Sequence, residues 1–316
     1  MKRFRNLLVA IDLSHADRLV SPDLTPPNRK AVEQGIWLAR INRARITFLT
    51  VLDLWEHTRH LIEEDTAEHE TVVTTADRVL RGLVAEAALH GVESGRHVVQ
   101  GRSGQEILRE VQRGRHDLVI CGSRRHSTLH QMTIGSTGQT LLRCCPCPVW
   151  ITVPEARTEP SRILVATDLS PACLEALRLG VTIAQLSNGE LHILHALETS
   201  AERPLQFSGA GLQESAVSHD HPRSELEEIL ETHCHSAEVD QLPIPPRFHF
   251  PVGAAEECIL EAIAREKIDL VVMVTAARTG WRGFFVGNAV ERLIPRVPCS
   301  VLAIKPAGFE YAVDCE

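Results

Sequence analysis

Asp117-Leu-Val-Ile-Cys-Gly-Ser123, a polar and basic loop opening with Arg124-Arg125-His126, and then Gly135-Ser136-Thr137 form the stretch that decides the fold. An apolar run of β-branched and aliphatic residues that closes on Gly-Ser reads as a buried strand, and Gly135-Ser136 reads as the start of a helix. The loop between them therefore lies at the carboxyl end of a strand, where open α/β sheets keep their ligands. A helix opening at Gly135-Ser136 offers unpaired backbone N–H groups and the positive end of its dipole to an anion, and glycine lets a phosphate approach the chain closely. The stretch is a candidate phosphate cradle. A weaker copy recurs as Asp269-Leu-Val-Val-Met-Val-Thr275, a loop, and Gly287-Asn288.

That copy belongs to a longer repeat. Gly101 returns as Gly253, Ile107 as Ile259, Asp117 as Asp269, Gly135 as Gly287 and Cys147 as Cys299, all at one constant offset. The opening Asn6-Leu-Leu-Val-Ala-Ile-Asp12-Leu-Ser14 likewise returns as Arg162-Ile-Leu-Val-Ala-Thr-Asp168-Leu-Ser170. A repeat of that length is a duplicated domain of about half the chain. The expected division is residues 1–153, a polar linker 154–160, residues 161–306 and a tail 307–316.

In the first half the pattern predicts a strand after Asn6, a helix over Asn28–Asn42 and a strand over Arg45–Leu52. A long helical region near Glu63–His90 follows, then a strand near His97–Gln100 and a helix around Gln105–Gln112. Asp117 begins a fourth strand and Pro148–Val153 forms a fifth. The second half repeats the order through strands at Ile163–Thr167, Glu190–Ala196, Arg247–Pro251, Leu270–Val274 and Ser300–Ile304. Continuous apolar strands alternating with helices predict α/β architecture with two tandem, doubly wound, five-stranded parallel sheets. The composition agrees, because 44% of the 316 residues are apolar and only 4% aromatic, so aliphatic side chains must fill the cores.

A formal net charge of −8 argues against a nucleic-acid partner, which needs a basic surface. No run of about 18 apolar residues is present, so no membrane span is expected. The first apolar run stops at Asp12, too short for a secretory leader, and a cytoplasmic location is the expectation. The nine cysteines are scattered through apolar runs and read as free, buried thiols; Cys144-Cys145-Pro146-Cys147 lacks the second ligand pair of a zinc ribbon. Sixteen histidines include His57 and His60, His219 and His221, and His233-Cys234-His235. No group supplies four metal donors by itself, and solvated polar histidines are the commoner outcome.

With these residues in view, each half resembles a universal stress protein domain. The family's nucleotide-binding members carry Gly-x-x-Gly, nine residues, then Gly-Ser or Gly-Thr. The first half reads Gly122-Ser-Arg-Arg125, nine residues, Gly135-Ser136, with Arg125 in the place of a glycine. The second reads Val274-Thr-Ala-Ala277, nine residues, Gly287-Asn288, and keeps only the last glycine. The resemblance implies strand order 3-2-1-4-5 and a site between strands 1 and 4. It also implies an adenine nucleotide, ATP or ADP, held by Asp12 and by the backbone at Val51, with Gly122, Gly135, Ser136 and Thr137 taking ribose and phosphates. Asp168, Ala196, Gly287 and Asn288 are the second-half counterparts. Arg125 either obstructs the cradle with its side chain or pairs with phosphate through its guanidinium.

Asp12 and Asp168 have an alternative reading as caps of the following turn, and Gly135-Ser136 and Gly287-Asn288 as ordinary helix starts. Ser14-His15-Ala-Asp17 has triad residue types without triad geometry, and no P-loop pattern occurs. The functional expectation is a stress-response binding module with a regulatory nucleotide. A slow ATPase and a ligand-free scaffold paired through the fifth strands, Val149–Thr152 and Val301–Ile304, are the alternatives. A homodimer is expected, because apolar edge strands need covering.

Overall fold

The computed structural model describes residues 4–14, 20–52, 66–125, 132–133, 135–170, 173–197, 224, 227–228, 232, 239–275, 293–306 and 309. In chain order the elements are β1 (Asn6–Ala10), α1 (Pro26–Asn42), β2 (Arg45–Leu52), α2 (Thr66–Leu89), β3 (Ser94–Gln100), α3 (Ser103–Gly114), β4 (Leu118–Gly122), β5 (Arg124–Arg125), β6 (Met132–Thr133), α4 (Ser136–Cys144) and β7 (Val149–Thr152). There follow β8 (Arg162–Ala166), α5 (Leu174–Ser187), β9 (Glu190–Leu194), β10 (Arg247–His249), α6 (Ala255–Glu266), β11 (Leu270–Val274), a 3-10 turn (Ile294–Arg296) and β12 (Ser300–Ile304). The chain divides into one unit of Met1–Glu159 with Thr275–Glu316 and a second of Pro160–Val274.

In the first unit the strands run β3-β2-β1-β4-β7, all parallel, which is the 3-2-1-4-5 order. β12 then pairs antiparallel with β7, with Val301 opposite Ile151 and Leu302 opposite Trp150. The Lys305 ammonium, buried just beyond β12, donates to the Leu142 carbonyl. Leu7, Leu8, Phe48, Leu118, Ile120 and Trp150 form the buried centre of the sheet. In the second unit the strands run β10-β9-β8-β11, all parallel, the first four places of the same order.

The duplication is physical as well as textual. Gly35 in α1 lies against Val9, and Gly180 in α5 lies against Val165. A Cβ would come within 2.7 Å and 2.3 Å of those valine methyls, so each first helix packs closely on its own first strand only because glycine is there. Gly101 and Gly253 both turn at φ +143; Gly101 donates its N–H to Leu52 at the end of β2, and Gly253 to Leu197, three residues past β9. Asp117 accepts the N–H groups of Arg5 at 2.7 Å and Asn6 at 3.2 Å, and Asp269 accepts those of Ser161 at 2.9 Å and Arg162 at 3.1 Å. Each carboxylate thereby pins the start of the first strand to the start of the fourth.

Two element starts differ from the sequence expectation for local reasons. α1 begins at Pro26 rather than Asn28, because proline suits the first helical position, where its missing N–H costs nothing. β3 begins at Ser94 rather than His97. Its extra residues are a half-buried Ser94, an exposed Gly95 and a half-buried Arg96, so no hydrophobic alternation marks them, yet Ser94 is in register with Ile46.

Candidate functional site

β1 has β2 on one side and β4 on the other, so the chain reverses its direction of travel across the sheet between β1 and β4. Ligand sites of open α/β sheets lie at the carboxyl ends of the strands at such a point. Asp12 and Gly122 are at those ends. After β1 the Ile11 N–H still donates to Leu49 at 2.8 Å, and Thr50 Oγ1 donates to the Ile11 carbonyl at 2.9 Å. At Asp12 the chain turns out of the sheet. Its side chain is exposed, and Oδ1 accepts the Ser14 N–H at 3.0 Å and the Ser14 hydroxyl.

The first turn of α1 joins the two strand ends. Asn28 is buried there; its Nδ2 donates to the Asp12 carbonyl at 2.5 Å and to Thr25 Oγ1 at 2.9 Å, and its Oδ1 accepts the Asp12 N–H at 3.4 Å. A Cβ on Gly122 would stand 2.9 Å from Pro27 and 3.0 Å from the Asn28 nitrogen, so a glycine is required there by packing. Sequence reasoning missed Asn28. The only local signal is its place in the first turn after Thr25-Pro-Pro.

Past Gly122 the chain doubles back. Arg124 pairs with Thr133 and Arg125 with Met132 in a short antiparallel ladder, which the sequence pattern did not announce. α4 then opens with Gly135 in extended conformation at its N-cap and without a side-chain cap; Gln139 donates to the Gly135 carbonyl at 3.0 Å. Gly135 and Thr137 are half-buried and Ser136 is exposed. The N–H groups of such a first turn have no acceptor within the helix. Val51 is half-buried near the end of β2, in register with Val99.

Ser123 is a second residue that the sequence did not single out. It is buried at 6% exposure, its N–H donates to Thr152 at 2.8 Å, and its hydroxyl has no hydrogen-bond partner. Its repeat counterpart, Thr275, donates its hydroxyl to the Ile304 carbonyl at 3.2 Å.

In the second unit Asp168 is engaged differently. Its Oδ1 accepts the Ser170 N–H at 2.9 Å and the Cys173 thiol at 3.0 Å. Burial alone would push the Asp168 carboxyl up, but the donors Ser170 and Cys173 outweigh it and hold the group below the usual carboxylate range. Burial, reinforced by the Asp168 charge, pushes the Cys173 thiol up to about 11. Leu169, between Asp168 and Ser170, has φ +62, an uncommon backbone for leucine. Val274 closes β11 and is buried; Ala277, Gly287 and Asn288 lie outside the described residues.

Cys121, Cys145, Cys147, Cys173, Cys258 and Cys299 are free thiols, whereas Cys144 is disulfide-bonded, so the expectation of free thiols does not hold throughout. Cys145 and Cys147 are 3.6 Å apart, and burial pushes the nearby Cys121 up to about 12. Thiols held protonated in this way are poor nucleophiles. Among the described residues no group of three or more His, Cys, Asp or Glu could hold a metal ion. The histidine groups at 57–60, 219–221 and 233–235 lie outside those residues. No described helix is long and apolar enough to cross a membrane.

Two units of one strand order, each following its first strand with the same Asp-Leu-Ser turn, define a duplicated α/β protein. The chain belongs to the universal stress protein family, whose sequence profile matches residues 3–153 and 160–305. It is 26% identical to universal stress protein E of Photorhabdus laumondii, over 99% of this chain and 98% of that one. It is 25% identical to universal stress protein E of Escherichia coli K12, over 100% and 98%. The crystal structure of a universal stress protein from Archaeoglobus fulgidus covers 95% of this chain and 98% of its own, with TM-score 0.69 and 19% identity, and so shares the fold.

Proposed function

We propose that the protein is a cytoplasmic stress-response protein that binds an adenine nucleotide, ATP or ADP, in its first half as a regulatory ligand. The observation that carries this reading is the tie between Asp12 and the first turn of α1, which Gly122 packs against from the neighbouring strand. In this reading Asp12 receives the ribose hydroxyls and the backbone at Val51 the adenine edge. Ribose and phosphates lie against Gly122, Gly135, Ser136 and Thr137. Arg125 stands where the family's motif has a glycine and offers phosphate a guanidinium in place of a backbone approach. The second half, with Asp168, Gly287 and Asn288 at the corresponding positions, is the weaker site, since Val274 and Ala277 stand where the motif has glycines.

Native mass spectrometry of gently purified protein tests the reading, with analysis of whatever is released on denaturation. Bound ATP or ADP is the expected result. A chain that carries none and also ignores added ATP contradicts it. One observation favours a second reading, a scaffold: β12 pairs along β7, so the strand edge that would join two chains is already covered. A homodimer would then use another surface, and light scattering at several concentrations would show whether it forms.

A further inference from the structure

His192 on β9 and His249 on β10 meet edge to edge in the second unit, with ring centroids 5.3 Å apart and planes within 6°. Nδ1 of His192 is 3.0 Å from Nε2 of His249, and Nη2 of Arg265 on α6 is 3.3 Å from Nδ1 of His249. Nε2 of the fully buried His192 has no hydrogen-bond partner and faces Glu190 Oε2 at 3.7 Å. The remaining charged groups around the pair are Arg247 on β10, which meets Glu190 at 3.5 Å, and Glu266 on α6, which pairs with Arg265 at 2.7 Å.

Proton bookkeeping leaves one arrangement. A guanidinium can only donate, so Nδ1 of His249 must be bare. Neutral His249 then carries its proton on Nε2 and donates to Nδ1 of His192, which must also be bare. His192 accordingly carries its proton on Nε2, toward Glu190. A further proton on His192 would oppose two N–H groups across the 3.0 Å contact, and one on His249 would oppose the guanidinium. Each added proton breaks a contact of the array.

We propose that Arg265, His249 and His192 form an acid-sensitive latch that holds β10 to β9 only while both imidazoles are neutral. The third strand of the first unit is built differently: His97, the repeat counterpart of His249, has Nδ1 3.1 Å from a Glu110 carboxylate oxygen, where His249 has a guanidinium. Burial first, then His249 and Arg247, hold His192 below the ordinary imidazole range despite Glu266 and Glu190. Burial, Arg265 and Arg247 do the same to His249 against Glu266. Histidines lowered in the folded state give stability that is fully present above about pH 6.5 and is lost as the pH falls through the lowered values.

Imidazole 15N spectra of the full chain, together with amide exchange at His195, Leu197 and Gly253, test the latch, since those N–H groups extend the β9–β10 ladder. At pH 7.5 both histidines should show the Nε2–H tautomer, with midpoints below about 6.5. Corrected for the intrinsic pH dependence of exchange, the three amides should open at least about tenfold more between pH 7.5 and 5, since one proton taken up on opening gives up to tenfold per pH unit. Replacing both rings by His192→Phe with His249→Phe removes both titrating groups and should flatten that dependence. An Nδ1–H tautomer on His249, midpoints at or above the ordinary value, or acceleration that persists in the double variant would overturn the proposal. If the double variant does not fold, the tautomers and midpoints of the unaltered chain decide by the same criteria.

Discussion

The Asn28 side chain binds both backbone polar groups of Asp12, donating to its carbonyl at 2.5 Å and accepting its N–H at 3.4 Å. One buried amide therefore sets the path of the turn that presents the Asp12 carboxylate. Asn28→Ala should lower the unfolding free energy by about 1–3 kcal/mol, since it strands the part-buried Asp12 carbonyl. It should also weaken ATP binding by about tenfold, a loss of about 1.4 kcal/mol from a displaced Asp12. Urea unfolding and calorimetric titration read the two effects separately. A loss of stability with unchanged affinity would remove Asp12 from the site.

Asp168 contributes stability with a defined pH window. Its carboxyl is lower in the folded chain than the ordinary value of about 3.9, so the contribution is complete above that value and disappears as the pH falls through the lowered one. Cys173→Ala removes one of its donors and should move the acid limb of the urea midpoint curve to higher pH. An acid limb that does not move would show that the Cys173 thiol leaves Asp168 unaffected.

Four helices close on non-glycine residues in left-handed backbone: Arg43, Arg115, Asn188 and Lys267. Such a residue costs about 1–2 kcal/mol unless it is glycine or, less severely, asparagine. Arg115→Gly and Lys267→Gly should each raise the unfolding free energy by about 0.5–1 kcal/mol once the extra freedom of glycine in the unfolded chain is counted. Asn188→Gly should give less. Equal gains at all three positions, by chemical denaturation, would contradict the conformational explanation.

Ser123 buries a hydroxyl without a partner, whereas Thr275 at the equivalent position has one. Ser123→Ala should therefore leave the ligand-free protein as stable or more stable by about 1 kcal/mol, while Thr275→Val should destabilise it by about 1 kcal/mol. Thermal unfolding of the two variants side by side checks the contrast. Equal destabilisation would mean that the Ser123 hydroxyl is satisfied.

The duplicated α/β fold was legible because its signals are local. Apolar strands, glycines at turns and the paired Asp12-Leu-Ser14 and Asp168-Leu-Ser170 all announce themselves within a few residues. What stayed hidden depends on partners far along the chain. Asp117 reads as the start of a strand, but its work is done on the N–H groups of Arg5 and Asn6. Asn28 reads as a helix residue until β1 and β4 bring Asp12 and Gly122 against it. The polar third strands gave weak patterns because they are half-buried, and the contact of His192 with His249 needs a parallel register that no spacing encodes.

Calorimetric titration of the full chain with ATP tests the central claim, that nucleotide binds at the ends of β1 and β4 in the first half. One equivalent should bind, with binding abolished by Gly135→Asp, which brings a carboxylate to the start of α4, and unaffected by Asp168→Ala. Binding that survives Gly135→Asp while that variant remains folded, or that is lost with Asp168→Ala instead, would contradict it.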